Sequence, residues 1–343
     1  MAVTIIDVAK YAGVSKTTVS AVLCEKKCVR EETRQKVLEA IRELNYIPNF
    51  NARNFVQKKT NILGALIMTD YPGFISYEFD SETGVFSQDV LKVITRSLST
   101  TNYGLITEYL DPYSNVLPLM IRDRRIDGLF LIGALKSGEK ILDNLLTMEI
   151  PIVLIGDTDP KFDSFRVDIV QSTYLAAKYL LSEGHRNIAL INCPEQYSSN
   201  RERLIGYKKA LEEAGLRFTD GLVVSAAQNT GKEGYLAASK LINSGIPTDS
   251  VICANVSITM GALRYFYENN IRIPRDISVV GHEDSVFYGY SSPGISAVNI
   301  NKENTGKEAL ELMLERLSKS HSGEPVCRII EPTLIKRASV RRI

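Results

Sequence analysis

The chain has 343 residues, of which 44% are hydrophobic and 24% are charged. This composition is typical of globular proteins with two or three hydrophobic cores, and it excludes a disordered or a fibrous chain. The net charge of +1 is unevenly distributed, because residues 1–60 hold 11 Lys and Arg against 6 Asp and Glu, whereas the remainder holds 30 against 34. A basic head therefore precedes an acidic body, and such a head attracts the phosphates of nucleic acids.

The sequence shows no sign of export or of a membrane span. Its start lacks a basic leader followed by a long apolar run, and no stretch approaches the roughly 20 apolar residues that a span needs. We therefore expect a cytoplasmic protein with no membrane partner. Five cysteines do not indicate a disulfide framework. Cys24 and Cys28 are the only close pair, and the nearest histidine is His185, so we expect neither a metal nor a cofactor.

The first 23 residues carry the signals of two short helices joined by a tight turn. Thr4 and Asp7 are spaced as a capping box, and apolar residues recur at every third or fourth position up to Ala12. Gly13 can adopt the left-handed conformation that ends a helix, and Ser15 is a good N-cap for the next one. This spacing predicts a helix-turn-helix motif.

The second helix has an outer face at its N-terminal half, where this motif carries its base-reading side chains. That face comprises Lys16, Thr17, Ser20 and Ala21. A third helix is indicated by apolar residues at period 3.6, with Asn45 as its C-cap and Pro48 as the stop. Three such apolar stripes can enclose a small core. We predict a helix-turn-helix DNA-binding domain over residues 1–47. The basic charge argues against the alternative, a three-helix domain that serves only for packing.

From residue 61 onward, short apolar runs alternate with amphipathic helical stretches. One series of buried parallel strands is predicted at Ile62–Thr69, Gly104–Tyr109, Ile126–Ile132 and Ile150–Ile155, and a second at Asn187–Asn192, Leu222–Ala226, Ser250–Ala254 and Ile277–Val280. The fold class is therefore α/β, with two doubly wound parallel-sheet lobes behind an all-α domain. The N-lobe is expected at about 61–165 and 297–325, and the C-lobe at about 166–296 and 326–343. The crossovers are placed near Ser164–Val170, within Ile295–Asn304 and before Cys327.

Polar residues follow several of these strands. Ligands of open α/β sheets bind beyond the carboxyl ends of the strands, which in a two-lobed body is the cleft between the lobes. Each such residue could also be a helix cap or a solvated loop residue, but their shared position favours a ligand site. The candidate ligand-binding residues are Met68, Asp70, Tyr71, Tyr109, Asp157, Arg203, Asn255 and Glu283. Carboxylates, an arginine and an asparagine suit a polyhydroxylated or charged small molecule.

Five segments resemble the lactose-repressor (LacI/GalR) family of bacterial transcription regulators. They are Thr4–Ser20 (TIIDVAKYAGVSKTTVS), Glu43–Asn49 (ELNYIPN), Glu183–Ala189 (EGHRNIA), Gly206–Leu211 (GYKKAL) and Pro274–Gly281 (PRDISVVG). The resemblance spans almost the whole chain. It implies a repressor that binds double-stranded operator DNA as a homodimer. It also implies a periplasmic-binding-protein-like effector-binding and dimerisation domain at 61–343, switched by a sugar, a sugar derivative or another polar metabolite.

By the same resemblance, Lys16, Thr17 and Ala21 match base-reading positions. Lysine can donate to O6 and N7 of guanine, so Lys16 implies a guanine in each half-site. Residues 48–60 match a hinge helix and linker that enter the minor groove, with Phe55 where a leucine is usual and Asn51 where paired hinges touch. We expect Phe55 still to kink the duplex. The candidate DNA-binding residues are Thr4, Ser15, Lys16, Thr17, Thr18, Ser20, Ala21, Tyr46, Asn49, Ala52, Arg53 and Phe55; of these, Ser15, Thr18 and Ser20 match phosphate contacts.

The ligand positions depart from the family pattern. Val256 stands where an aspartate is usual, Gly281–Asp284 reads Gly-His-Glu-Asp in place of Gly-Tyr-Asp-Asp, and Gly156 takes the place of a ligand aspartate. These departures leave open a simple sugar and a larger, modified or anionic ligand. The chain stops at Ile343 without the leucine-repeat helix of tetrameric members, so a dimer and a pseudo-palindromic operator are expected.

Other classes of function fit less well. An enzyme is not expected, because the nucleotide-binding, nucleophile-elbow and zinc-protease motifs are missing and His282 beside Glu283 and Asp284 is the one suggestive cluster. A solute-binding protein for transport would share the body but not the basic head. A regulator that needs no ligand, or that responds to a partner protein, stays open.

Overall fold

The computed structural model describes residues 3–23, 29–46, 59–68, 82–110, 117–133, 140–194, 197–318 and 323–343. The chain forms two compact units, residues 1–61 and residues 62–343. The predicted hinge helix at 48–60, with Asn51 and Phe55, lies almost wholly outside the described residues. Among the described residues, no helix has both the length and the apolar character that crossing a membrane requires.

The first unit begins with the predicted helix-turn-helix motif. Helix α1 spans Ile5–Ala12 and helix α2 spans Lys16–Leu23. The Asp7 carboxylate accepts hydrogen bonds from the N–H (2.9 Å) and the hydroxyl (2.6 Å) of Thr4, which satisfies one donor at the helix start. Gly13 takes the left-handed conformation at φ 65°. The predicted pair of helices and the turn at Gly13 are therefore confirmed.

Helix α3 spans Glu31–Glu43 and completes a small core. It ends one residue earlier than predicted, because Leu44 is the cap and Asn45 supplies the left-handed residue at φ 46°. The Tyr46 N–H then donates to the Ile41 carbonyl at 3.0 Å, as in a Schellman motif. The buried core residues are Val8, Ala9, Val19, Val22, Val37 and Ala40. Each of the three helices contributes two of them.

The second unit contains two six-stranded sheets, one for each lobe. The N-lobe sheet has the order β11-β5-β4-β3-β1-β2 and is entirely parallel. Its strands are β1 Ile62–Met68, β2 Gly104–Leu110, β3 Gly128–Ile132, β4 Ile152–Ile155, β5 Asp163–Val167 and β11 Cys327–Ile330. The C-lobe sheet has the order β12-β10-β9-β8-β6-β7, with β12 antiparallel to β10. Its strands are β6 Ile188–Asn192, β7 Val223–Ser225, β8 Ser250–Cys253, β9 Ser278–His282, β10 Ser296–Asn299 and β12 Thr333–Ile335.

Helices cover both faces of each sheet, so the predicted fold class is confirmed. The N-lobe helices are α4 Glu82–Leu98, α5 Leu119–Arg122, α6 Lys140–Leu146 and α12 Lys302–Ser318. The C-lobe helices are α7 Ile169–Ser182, α8 Ser198–Glu213, α9 Gly231–Asn243, α10 Val256–Glu268 and α11 Val286–Tyr290. Helices α4 and α12 share one buried cluster of the N-lobe and α5 and α6 another. In the C-lobe, α9 and α10 bury one face and α7 and α8 the other.

The return of the chain to the C-lobe was predicted wrongly. Strand β10 still belongs to the C-lobe, and Cys327 pairs with Ser164 of β5 in the N-lobe. Arg316, near the end of α12, and the Val326 N–H both bond to the Asp163 carboxylate at 2.8 Å, which brings β11 beside β5. Pro332, which lacks an N–H for a ladder, lies between β11 and β12. The last crossover therefore follows β11.

Candidate DNA-binding face and ligand cleft

The start of helix α2 presents a polar, exposed surface. Lys16 and Thr17 are exposed, and the Ser15 Oγ accepts the Thr18 N–H at 3.1 Å. The same oxygen lies 2.6 Å from Oγ1 of Thr17 and 2.8 Å from Oγ1 of Thr18. Hydroxyl groups and N–H groups at a helix N-terminus without acidic residues suit a phosphate group.

A concave surface links this helix start to the start of α3. Its lining residues are Val14, Ser15, Thr17, Thr18, Ala21, Val29, Arg30 and Thr33. Arg30 and Thr33 were not predicted from the sequence. The basic Arg30 directly before α3 is the sequence signal that could have indicated them. Thr4 is exposed at the start of α1, and Tyr46 is half-buried against the small core. The predicted contacts Asn49, Ala52, Arg53 and Phe55 lie outside the described residues.

A cleft of about 810 Å³, part of it open to solvent, separates the two lobes of the second unit. Its N-lobe wall is apolar: Met68, Phe86, Val167 and Ile300 line it together with Gly133 and Gly156. Its C-lobe wall is polar and consists of Tyr197, Ser198, Ser199, Arg203, Asn229 and Glu283, and Ile169 lies at the crossover. The described cleft thus offers hydrogen-bonding groups on one side and hydrocarbon on the other. The predicted residues Asp70 and Tyr71 fall outside the described residues.

Two glycines let the backbone form part of the apolar wall. Gly133 follows β3 at φ 128°, and Gly156 follows β4 at φ 106°, conformations that side chains other than that of glycine rarely adopt. A Cβ at Gly156 would lie 3.3 Å from the Phe86 ring and 3.3 Å from the Gly133 carbonyl. The ring of Phe86 is therefore in contact with the bare backbone at this position.

Arg203 is held in place on the C-lobe wall by a chain of buried amides. The side chain is only 3% exposed, and its guanidinium donates to the Oδ1 of Asn200. The Asn200 amide donates to the Pro194 carbonyl at 2.8 Å, and Asn192 donates to the Asn200 carbonyl at 2.8 Å. Because buried polar groups are costly to leave unbonded, this chain restricts Arg203 to one orientation at the cleft.

In the described structure, His282 at the end of β9 is not hydrogen-bonded to the neighbouring carboxylates. Burial and the nearby Arg203 hold the pKa of His282 well below its usual range, so the imidazole is neutral. Within the part of the chain that the structure describes, neither ring nitrogen of His282 has a hydrogen-bond partner. Asp284 pairs with Arg337 at 2.7 Å and 3.1 Å, whereas Glu283, at φ 61°, lines the cleft. A catalytic dyad would need the histidine to bond to a carboxylate.

The remaining predicted ligand residues in the described part of the chain, Asn255, Asp157 and Tyr109, are not on the lining of the cleft. Asn255 is fully buried, caps α10 by accepting the Ile258 N–H at 2.8 Å, and donates to Asn229 at 3.3 Å. Asp157 accepts the Thr158 N–H at 2.8 Å, and Tyr109 is exposed on the edge strand β2. Several lining residues, among them Phe86 and Asn229, were not predicted. Among the described residues, no group of three metal-ligating side chains comes together.

Comparison with known proteins gives the same picture for the whole chain. The family model for bacterial regulatory proteins of the lacI family matches residues 4–49, and the model for the periplasmic binding protein-like domain matches residues 177–340. The chain is 31% identical over 344 residues to the HTH-type transcriptional repressor PurR of Vibrio atlanticus (strain LGP32). It is 30% identical over 341 residues to the HTH-type transcriptional regulator RegA of Clostridium saccharobutylicum. Both comparisons cover 99% of this chain and 99% of the relative.

Two solved structures are similar along the full length. One is the lac repressor dimer bound to operator and the anti-inducer ONPF, with a TM-score of 0.81, 23% identity, and coverage of 99% of this chain and 100% of that chain. The other is a complex of the transcriptional regulator CelR with cellobiose, with a TM-score of 0.70, 26% identity, and coverage of 98% and 99%.

Proposed function

Since the chain belongs to the lacI family of bacterial regulatory proteins and is therefore a DNA-binding transcriptional regulator, we propose that it represses transcription as a homodimer on a pseudo-palindromic operator. A small molecule in the cleft between the lobes switches the repressor. The observation that carries this proposal is the exposed Lys16 and Thr17 at the start of α2, on a basic unit joined to a body whose interlobe cleft is lined by polar and apolar residues. No catalytic step is assigned to the cleft.

DNA recognition is tested with an operator duplex selected from random sequences by the full-length protein. Lys16→Ala is expected to reduce affinity for the selected duplex by about 5- to 150-fold, because a bidentate contact to a base contributes about 1–3 kcal/mol of discrimination. Lys36→Ala is the control, since Lys36 is exposed on α3 and its loss removes the same charge. Fluorescence anisotropy at about 50 mM and 200 mM salt separates the two effects. Equal losses in both variants, on selected and random DNA alike, would contradict base reading by Lys16.

The walls of the cleft indicate the class of ligand. A ligand that fits both walls carries hydrogen-bonding groups on one edge, toward Arg203, Asn229 and Glu283, and an apolar ring face toward Phe86 and Ile300. Aryl glycosides and nucleosides carry a planar ring beside a hydroxyl-bearing sugar, whereas a free sugar offers only the C–H faces of its own ring between its hydroxyl groups. We therefore propose an effector in which a polar moiety is joined to an apolar ring.

Thermal shift with matched pairs tests this class directly. The pairs are glucose with phenyl β-glucoside and ribose with adenosine, and the ring-bearing partner is expected to raise the melting temperature more. A ligand at 100 times its dissociation constant stabilises by about 2.7 kcal/mol. Arg203→Gln is expected to remove the shift, whereas Arg201→Gln, an exposed position on the same helix, keeps it. A panel in which only the free sugars stabilise the protein would refute the proposed division.

The dimer surface is proposed on the C-lobe, where three neighbouring helices expose large apolar side chains. They are Leu236 on α9, Met260 and Tyr267 on α10, and Val286, Phe287 and Tyr290 on α11. Tyr267 and Tyr290 are 84% and 87% exposed, and an apolar surface of this kind is typical of an interface. The similar lac repressor structure is described as a dimer, which supports a second copy as the occupant.

Sedimentation velocity tests the surface with two glutamate variants. Phe287→Glu is expected to shift the protein from dimer to monomer at micromolar concentration, because a charge at an apolar interface is left unpaired. Ile205→Glu is the control, since Ile205 on α8 is equally exposed at 55% and lies on another face of the lobe. A Phe287→Glu protein that sediments as an unchanged dimer would place the interface elsewhere.

A further inference from the structure

One ion pair bridges the two lobes beside the cleft. Arg166 lies on β5 of the N-lobe, and its guanidinium donates to the Glu202 carboxylate on α8 of the C-lobe. The two side chains are only 24% and 21% exposed. A half-buried pair of this kind is less screened by solvent than a surface pair.

Arg166 also lies in the field of two further carboxylates, both outside α8. Asp157 is in the loop after β4, and Asp168 is the first residue after β5, where its side chain caps α7 by accepting the Gln171 N–H at 2.8 Å. Burial lowers the pKa of Arg166, but the hydrogen bond to Glu202 and the charges of Asp157 and Asp168 raise it above its usual range. One arginine thus faces one carboxylate on α8 and the charges of two others, Asp157 after β4 and Asp168 at the crossover between β5 and α7.

The C-lobe partner is placed on the helix that forms the polar wall. Glu202 directly precedes Arg203, and Ser198 and Ser199 at the start of the same helix also line the cleft. On the other side, Val167 follows Arg166 and lines the apolar wall. The ion pair therefore ties the two walls together at the edge where the chain first crosses between the lobes.

We propose that Arg166 is a positioning residue that exchanges carboxylate partners as the lobes move. With Glu202 it holds helix α8 at its present spacing from the N-lobe, and with Asp157 and Asp168 it stays paired when the lobes separate. Because the arginine is never left without a carboxylate, opening does not strand a buried charge. Such an element has two discrete arrangements, which is what a ligand-operated switch requires. Only the effect of this partner exchange on effector binding rests on the proposed function.

Hydrogen–deuterium exchange of the full-length protein, without DNA or ligand, reports how readily the backbone opens where the two lobes meet. Glu202→Gln is expected to speed exchange about threefold to fivefold in peptides that cover 163–170 and the start of α8, the effect of losing a half-buried pair. Glu212→Gln, an exposed position on the same helix, is the control and leaves these rates unchanged. Asp157→Asn is expected to slow exchange, because it removes a partner of the separated state. Rates unaltered by Glu202→Gln would overturn the proposal.

The reversed pair Arg166→Glu/Glu202→Arg separates partner exchange from a simple salt bridge. If the pair is a simple salt bridge, reversal restores it and hydrogen exchange slows again. If Arg166 exchanges partners, the new glutamate on β5 is repelled by Asp157 and Asp168, and hydrogen exchange stays fast. Full recovery of the slow rates would therefore overturn partner exchange. Thermal melting of each variant checks that the lobes remain folded. Because no operator or effector is present, this result stands or falls separately from the proposed repressor function.

Discussion

A single methyl group at Gly206 is expected to displace the helix that carries Arg203. Helix α8 packs on α7 so closely here that a Cβ at Gly206 would lie 2.1 Å from the Val170 carbonyl oxygen and 3.1 Å from the Tyr174 nitrogen. Real Cβ atoms stay at least 3.0 Å from such neighbours, so the helices must separate by about 0.9 Å (3.0 minus 2.1 Å). The contact atoms belong to the backbone, so a rotamer change cannot relieve the overlap.

The cost of Gly206→Ala follows from two opposing effects. Overpacking a core costs about 1–3 kcal/mol, and replacing a helical glycine by alanine returns about 0.5–1 kcal/mol. Because the overlap at 2.1 Å is severe, the net loss is expected in the upper part of this range, about 1–2.5 kcal/mol, which corresponds to a fall in melting temperature of about 2–10 °C. Because Arg203 lies one turn earlier on α8, backbone hydrogen exchange around Arg203 is expected to become faster as well.

Differential scanning calorimetry of the full-length protein measures this effect, with Gly104→Ala as the matched control. Gly104 is exposed on β2, and nothing lies within 4 Å of the position its Cβ would take. The control is expected to melt at or slightly above the parent temperature. If Gly206→Ala melted within about 1 °C of the parent, the close approach of α7 and α8 would not be a constraint on the fold, and the reasoning above would be wrong.

Three further predictions concern charged and titratable groups. Burial raises the pKa of Asp249, but hydrogen bonds led by the one from His185 at 3.0 Å lower it well below its usual range. The stability that these hydrogen bonds contribute is present above about pH 3.9 and is lost as the pH falls further. Asp249→Asn is expected to cost about 1–3 kcal/mol at pH 7, and a urea midpoint equal to the parent's would count against it. Since burial lowers the pKa of His282, the parent protein loses stability as the pH falls below about 6.5 and His282→Gln does not; parallel urea profiles would exclude this. Asp7→Ala removes the acceptor of two Thr4 hydrogen bonds and is expected to lower the unfolding free energy of the first unit by about 0.5–2 kcal/mol. The loss is measured from the helical circular dichroism signal on heating. An unaltered transition would show that the capping box is dispensable.

Local signals determine the first unit because each one acts within a few residues. Thr4 and Asp7 meet across one helical turn, and Gly13 ends α1 through its own backbone conformation. The period of the apolar residues also places most strands of the body within about two residues of their observed ends. The family resemblance is confirmed over the whole chain by relatives with matching length.

The candidate cleft was predictable only in part. Met68, Arg203 and Glu283 line it as their positions after or near strand ends suggest. Asn255 occupies an equivalent position, yet its side chain caps α10 and contacts Asn229, which lines the cleft in its place. A cap and a ligand contact use the same residue type after the same kind of strand, so sequence does not distinguish them.

What the sequence determined by itself is where most of the helices and strands lie and which face of each is buried, since both follow from spacing along the chain. What only the tertiary structure decided is which element covers that face. Cys327 pairs with Ser164 across the N-lobe sheet, and Arg166 meets Glu202 of the other lobe. The physical reason is that burial of an apolar face rewards any apolar partner alike, whereas the choice among distant partners depends on the packing and charge of the assembled lobes.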